Sequence, residues 1–172
     1  MATFTGPFAG ADAAVVDPGF GRGIGFIIPG YIDIAANPVA SDIYQLCWVP
    51  AGFVCTGGMM YLADIDTHAS ETLDMDLGWK ANGGSGTYDA IDADGLGNFG
   101  VMNGDAFANP SINSVTGNIV PFSGAFLSAG TFPYFTKKTL IQATCVATCA
   151  TFSAGRLSVA VHGYVDPSLV VG

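Results

Sequence analysis

Strict alternation of apolar and polar residues along two segments constrains the fold of this chain more than any other feature. The segments are residues 71–80 and 155–166. A period of two is typical of antiparallel strands that turn one face to a core and the other to water. The residues predicted to be buried on this basis are Leu73, Met75, Leu77, Trp79, Leu157, Val159 and Val161.

Further short β-like segments follow one another about every ten residues from residue 31 onward, which is the spacing of a sandwich or barrel. No long helical pattern interrupts them. We therefore predict an all-β fold, a single antiparallel β-sandwich or jelly roll of about eight strands over residues 31–172. The pair Gly57-Gly58 inside a predicted strand indicates a β-bulge or a bend. Residues 81–110 are rich in glycine and aspartate and are predicted to be a loop excursion from the sandwich.

Residues 1–30 show neither a strand nor a helix period, although they contain several phenylalanines among glycines and prolines. A disordered tail is normally poor in aromatics. We predict an extended N-terminal arm that orders against a surface. If that surface belongs to a partner, Phe4, Phe8 and Phe20 are the anchors and Arg22 pairs with a carboxylate. The alternative is that the arm packs along its own sandwich.

The amino-acid composition restricts the kinds of partner that this protein is expected to bind. The chain of 172 residues has 14 acidic and five basic residues, a formal charge of −9. Such a surface repels phosphate backbones, so nucleic acid is not an expected partner, whereas a neutral or basic protein surface is. With 50% hydrophobic and only 11% charged residues, homo-oligomerisation is expected to cover part of the surface. No apolar run is long enough to span a bilayer, and the N-terminal residues lack a signal-peptide pattern, so no membrane partner is expected.

Four cysteines are present, which are too few for a disulfide-dense scaffold of this length. Their spacing lacks a C-x-x-C knuckle, and no histidine lies near either pair. Buried or loop thiols are therefore favoured over zinc. A bond between the last two would require a turn between them. The four are Cys47, Cys55, Cys145 and Cys149.

Two D-x-D pairs lie on predicted strands that follow one another in the chain. Asp64 and Asp66 precede the turn, and Asp74 and Asp76 follow it. Adjacent antiparallel strands would place all four on one outer face, where like charges opposite one another cost free energy. We predict that they are splayed at a solvated face, or bridged by Lys, Arg or a cation.

Catalytic signals are weak. The segment 89–95 resembles part of a calcium loop, but Ala90 and Val101 stand where carboxylates are required, so turn roles are favoured for its aspartates. His68 and His162 neighbour no nucleophile motif. We expect a protein that is not an enzyme and that needs no cofactor or metal.

The order of several segments resembles that of the jelly-roll decoration (cement) proteins of tailed bacteriophage capsids. The resemblance covers residues 31–166 and is carried by residues 49–54, 71–78, 132–135, 139–144 and 154–166, with the Gly/Asp-rich excursion between the second and third. It implies a virion structural protein that is made and assembled in the host cytoplasm. It further implies a homotrimer that binds the outer capsid surface and stabilises contacts between subunits of the major capsid protein.

An alternative is a carbohydrate-binding β-sandwich module of a surface or secreted protein, which would use exposed aromatic residues. Trp79 lies on the apolar face of its strand, which favours a core position, and Trp48 is ambiguous. A hydrolase hidden in residues 81–110 is a third reading, which the lack of an activated nucleophile disfavours.

Overall fold

The structure is a computed structural model that describes residues 1–10, 25–68, 71–101 and 118–170. Within these ranges the chain forms ten strands, a four-residue helix α1 (Ala125–Ser128) and a 3-10 turn at Pro167–Leu169. The strands are β1 Thr3–Phe8, β2 Phe26–Ile34, β3 Ile43–Val49, β4 Phe53–Leu62, β5 Asp74–Trp79, β6 Asp92–Val101, β7 Asn118–Pro121, β8 Tyr134–Phe135, β9 Thr139–Ala147 and β10 Gly155–Val165.

The strands form two packed sheets. Sheet A has the order β1-β3-β9-β5-β6, and sheet B has the order β2-β10-β4-β7, with the short β8 also paired to β4. Every pairing is antiparallel except that of β1 with β3, which is parallel. The chain changes sheet at most of its connections. The predicted all-β sandwich is confirmed, with ten described strands where about eight were expected.

The core lies between the two sheets and is built by the predicted alternation. All seven residues predicted to be buried are at most 5% exposed. Trp79 on β5 is central to this core, because its ring packs edge-on against Phe135 with 5.1 Å between ring centroids. Burying a large apolar side chain of this kind stabilises the fold by about 1.5–3 kcal/mol. The period-2 pattern therefore identified the inner faces of β5 and β10 correctly.

The glycine pair in β4 lies at a β-bulge, as predicted. His162 on β10 is opposite Gly57, whereas the next residue of β10, Gly163, is opposite Cys55, so Thr56 is the extra residue. Gly58 has a φ of 155°, and a Cβ there would collide with the Phe122 ring and with the backbone of β10. Only glycine fits this position, since it tolerates both the positive φ and the close approach.

Parts of the predicted arm are strands of the domain. Residues 3–8 form β1 at the edge of sheet A, and the Ala2 amide donates a hydrogen bond of 2.8 Å to Asp42. Strand β2 begins at Phe26, before the predicted start of the sheet at residue 31. At these two ends the segment packs on its own sandwich, which was the alternative reading. Residues 11–24, which include Phe20 and Arg22, lie outside the described residues.

The predicted loop excursion at residues 81–110 is wrong for its middle part, because residues 92–101 form β6 and pair with β5. Three glycines in this strand remove the side chains that would have shown a period of two. One of them, Gly95, lies against the Trp79 ring, where a Cβ would collide with the indole. Glycine in a strand often indicates such a close approach. Residues 102–110 lie outside the described part of the chain.

The buried face of β10 generates a first prediction. Val161 is fully buried in the core, so Val161→Asp should place an unpaired carboxylate among apolar groups, at a cost of several kcal/mol. We expect the soluble fraction of the expressed protein to be lost. Ser158→Asp, on the opposite and half-exposed face of the same strand, is the matched control and should keep the native far-ultraviolet circular dichroism spectrum. A soluble, folded Val161→Asp variant would contradict the assignment of faces.

Candidate functional site

The outer face of sheet B carries an unusual share of exposed apolar side chains. Strand register places its residues in three rows that cross the sheet. The rows are Pro29–Ala160–Met59–Pro121, Tyr31–Ser158–Tyr61–Ile119 and Ile27–His162–Gly57. In these rows Ile27 is 59% exposed, Ile119 50% and Met59 45%. We call these three rows the apolar face.

A shallow groove of about 210 Å³ runs along the apolar face. It is lined by residues of β4, β7 and β10, namely Met59, Met60, Tyr61, Ile119, Ser158, Val159 and Ala160. None of these lining residues carries a formal charge. The groove therefore offers van der Waals contact and very little electrostatic attraction to a ligand.

The charges beside the apolar face neutralise one another. Arg156 on β10 forms a bidentate pair with Asp33 on β2, with Nε–Oδ1 at 2.7 Å and Nη2–Oδ2 at 3.1 Å. The guanidinium also lies 4.3 Å from the centroid of the Tyr31 ring. This exposed pair contributes little to stability. It does leave this end of the face without net charge.

Sheet A carries four aspartates close to one another, Asp74 and Asp76 on β5 and Asp92 and Asp94 on β6. One carboxylate oxygen each of Asp74 and Asp76 is buried and accepts no hydrogen bond from the described residues. Burial, followed by the charges of Asp74 and Asp94, raises the pKa of Asp76 to about 6. Burial and the neighbouring Asp94 also raise the pKa of Asp92. We call these four residues the acidic face.

The predicted grouping of Asp64 and Asp66 with Asp74 and Asp76 is wrong. Strands β4 and β5 belong to different sheets, so the two D-x-D pairs do not lie on adjacent strands. Which sheet a strand joins depends on the connections between strands, and the local pattern of residues does not reveal it. The expected closeness of like charges does hold for Asp74 and Asp76, which lie near the carboxylate of Asp94.

Asp66 has a structural role instead. It is 2% exposed, and its carboxylate accepts four backbone N–H bonds of 2.8–3.1 Å, from Thr72, Leu73, Ala150 and Thr151. Burial alone would raise the pKa of Asp66, but these bonds outweigh it and lower the pKa to about 2. Asp66 thereby ties the connection before β5 to the connection between β9 and β10.

Of the aspartates in the imperfect calcium pattern, Asp89 has the predicted turn role, whereas Asp92 and Asp94 lie in strand β6, so the prediction is wrong for these two. The Asp89 carboxylate accepts bonds from the Asn82 amide, the Gly86 N–H and both the N–H and hydroxyl of Thr136. These bonds link the turn before β6 to the segment between β8 and β9. Among the described residues, no group of three or more His, Cys, Asp or Glu side chains could hold a metal ion.

All four cysteines are unpaired and buried, as predicted for buried thiols. Burial raises the pKa of the Cys47, Cys55 and Cys149 thiols to about 12 and that of Cys145 to about 11. A thiol that stays protonated is a poor nucleophile and a poor metal ligand.

The sequence predicted four capsid-binding residues, and the structure describes two of them. The Phe4 ring stacks on Tyr44 of β3, with centroids 4.9 Å apart and planes at 10°, and Phe4 remains 37% exposed. Phe8 ends β1 opposite Cys47. Phe20 and Arg22 lie outside the described residues, so the structure does not test whether the four act together.

The tryptophans offer little support for a carbohydrate platform. Trp79 is 1% exposed in the core. The Trp48 indole donates a hydrogen bond of 3.1 Å to the carbonyl of Ala9, and the Lys138 ammonium lies 4.6 Å from the centroid of its ring. Both indoles are therefore engaged within the domain.

Sequence reasoning missed the apolar face. A signal was present, because Ile27, Met59 and Ile119 are apolar residues at positions that alternate with the buried ones. Single exposed apolar residues are common on protein surfaces. Their meaning emerges only when strand register brings them onto one face.

The fold was compared with those of known proteins. No protein-family model matches the sequence, and no curated protein matches it. Two solved structures share the fold over nearly the whole chain. A chain in the structure of the cyanophage Pam1 capsid asymmetric unit is 20% identical, with a TM-score of 0.61 over 91% of this chain and 96% of that one. A chain in the capsid of Ralstonia phage GP4 is 19% identical, with a TM-score of 0.67 over 96% and 98%.

The protein thus has the fold of a chain found in two phage capsid structures. Each match spans nearly the whole of both chains, so the likeness extends to the complete two-sheet architecture. In the described part of the chain, no helix is long and apolar enough to cross a membrane.

The acidic face generates a second prediction. The pKa of Asp76 is raised from 3.8 to about 6, so its contribution to stability is present below about pH 4 and is lost as the pH rises through about 6. Asp76→Asn should therefore stabilise the protein at about pH 8, by about 1 kcal/mol once solvent screening is allowed for. Thermal melting at several pH values measures this gain, which should vanish near pH 4.

Asp94→Asn is the matched control, since Asp94 is exposed on the neighbouring strand and its substitution should give the smaller gain. If Asp76→Asn gives no gain at about pH 8, the unfavourable burial and repulsion inferred for ionised Asp76 are wrong.

Proposed function

We propose that this protein is a non-enzymatic structural component of a phage virion. In this proposal it binds the outer surface of the capsid as a homotrimer and stabilises contacts between subunits of the major capsid protein. The observation that carries the proposal is the fold, which is shared almost end to end with chains in two phage capsid structures. The sequence resemblance to capsid decoration proteins supports the same role.

Charge and composition support the choice of partner. A net charge of −9 favours a neutral or basic protein surface and disfavours the packaged nucleic acid. The stabilising effect would be mechanical, because any ligand that binds only the assembled shell shifts the equilibrium toward that shell. Assembly would take place in the host cytoplasm, and no membrane, cofactor or metal is part of the proposal.

The first 30 residues are proposed to contribute to capsid binding. Phe4 is held on the sandwich by Tyr44 but keeps an exposed edge, so it can serve both the fold and an interface. Phe8, Phe20 and Arg22 remain in the proposal on the sequence argument that aromatic and arginine side chains dominate protein interfaces. Residues 3–8 and 26–30 of this segment lie in strands β1 and β2 of the sandwich.

A third prediction concerns the oligomeric state. The purified protein should sediment as a homotrimer of 17.6 kDa chains at micromolar concentration, because half of its residues are hydrophobic and few are charged. Sedimentation equilibrium measures the mass directly. A monodisperse monomer under these conditions would contradict the trimer.

A fourth prediction separates docking from folding. Capsids of the phage that encodes the protein, assembled without it, are mixed with purified protein, and occupancy is measured by electron cryomicroscopy. Phe20→Ala and Arg22→Ala should each lower occupancy severalfold without changing the melting temperature. Phe4→Ala should lower the melting temperature as well, because it removes the stacking on Tyr44, which is worth about 1 kcal/mol beyond its buried area.

The result for wild-type protein tests the function itself. Failure of folded wild-type protein to bind these capsids would refute the proposed function. Wild-type binding together with full occupancy by the Phe20 and Arg22 variants would refute only the role of the first 30 residues.

A further inference from the structure

We propose that the apolar face is the surface through which copies of this chain contact one another in the homotrimer. The inference rests on the proposed function and names the subunit interface that it requires. The three rows of the apolar face would be covered by the neighbouring subunits around a threefold axis. The capsid would then be bound by other surfaces of the protein.

The first argument is the cost of leaving this face in water. Ile27, Met59 and Ile119 lie on three different strands, yet register places them on one surface with Tyr31, Tyr61 and Ala160 between them. Soluble monomers rarely expose contiguous apolar patches of more than a few hundred Å². Covering such a patch is favourable by about 25 cal/mol per Å² of apolar surface.

The second argument is charge, and it identifies the occupant. Each copy carries a net charge of −9, so two copies repel unless the surfaces that meet are free of net negative charge. The three rows contain no Asp, Glu, Lys or Arg, and the adjacent charges of Arg156 and Asp33 cancel. The acidic face would set carboxylate against carboxylate. A second copy can therefore approach the apolar face, whereas a basic partner gains nothing there from the charge of this protein.

The third argument is size. The outer face of sheet B is formed by strands of nine, eleven and ten residues and by the four-residue β7. At about 3.4 Å per residue and about 4.8 Å between strands, it covers about 550 Å² in projection. A stable interface needs about 800 Å² of accessible surface per partner. Because side chains make the accessible surface of a pleated face larger than its projection, the outer face of sheet B is of the size that such an interface needs. In an assembly with closed threefold symmetry, the apolar face is buried in all three subunits, and no unpaired copy of it remains at an open end.

The test is one substitution with a matched control. Met59→Asp places a carboxylate in the centre of the apolar face, and the dissociation constant of the trimer should rise at least about a hundredfold, so that a folded monomer sediments at micromolar concentration. Val39→Asp makes the same kind of change at a residue that is 60% exposed between β2 and β3. This control should remain a trimer. Circular dichroism verifies that both variants are folded.

A second measurement on unmodified protein decides the question if Met59→Asp does not fold. In hydroxyl-radical footprinting of the wild-type trimer, Met59 should be protected from oxidation, although it is 45% exposed in the single chain. Met1, which is 88% exposed, should oxidise readily, and Met60, which is fully buried, should not. Oxidation of Met59 in the trimer at a rate between those of Met1 and Met60 would overturn the proposal.

The remaining outcomes are also decisive. A folded Met59→Asp variant that stays trimeric overturns the proposal, and if its capsid occupancy falls, the face binds the capsid instead. If the Met59→Asp result overturns this proposal but wild-type protein binds capsids as a trimer, the proposed function is not contradicted. Wild-type protein that is monomeric and does not bind capsids refutes both proposals together.

Discussion

The shared apolar layer between the two sheets is the constraint on which the rest of the structure depends. Each strand alternates its side chains between two faces, so committing one face to the core commits the other to the outside. Trp79, Leu77 and Val161 define the inner faces. The composition of each outer face is then set by the intervening residues, which the core leaves free to vary. On sheet B these are mostly apolar, and on sheet A they include Asp74 and Asp76.

Polar side chains stabilise the connections between strands, which the apolar layer does not stabilise. The backbone N–H groups of these connections need hydrogen-bond acceptors. Asp66 satisfies four of them from two connections that are far apart in sequence. At the other end of β5, Asp89 accepts bonds from the backbone N–H groups of Gly86 and Thr136 and from two side-chain donors. Asp42 accepts bonds from the backbone N–H groups of Ala2 and Val39. These three buried carboxylates hold connections in place. Of the three, Asp66 belongs to the group that the sequence left open to bridging by a cation.

How much the sequence predicted depended on whether a strand keeps its alternation. The regular strands β5 and β10 were predicted with their faces. Strand β6 was missed because its glycines leave no pattern, and β1 was missed because residues 1–30 show no strand period; β1 contains Pro7, which is tolerated at a sheet edge. The pairing of Asp64 and Asp66 with Asp74 and Asp76 failed for a different reason, since β4 and β5 are consecutive in sequence but lie in separate sheets. The apolar face could not be seen at all until register was known.

The two outer faces have opposite effects on an isolated chain, and the proposed trimer would accommodate both. The acidic face is unfavourable to folding, because ionised Asp76 is partly buried and lies beside carboxylates of the same sign, yet its charge favours solubility. The apolar face is unfavourable to solubility, yet it lacks the charges that would keep copies apart. If copies meet through the apolar face, the acidic faces remain outward and the assembly carries their charge on its exterior. Closed threefold symmetry would bury the apolar face of every subunit, so none would remain exposed to recruit a further copy.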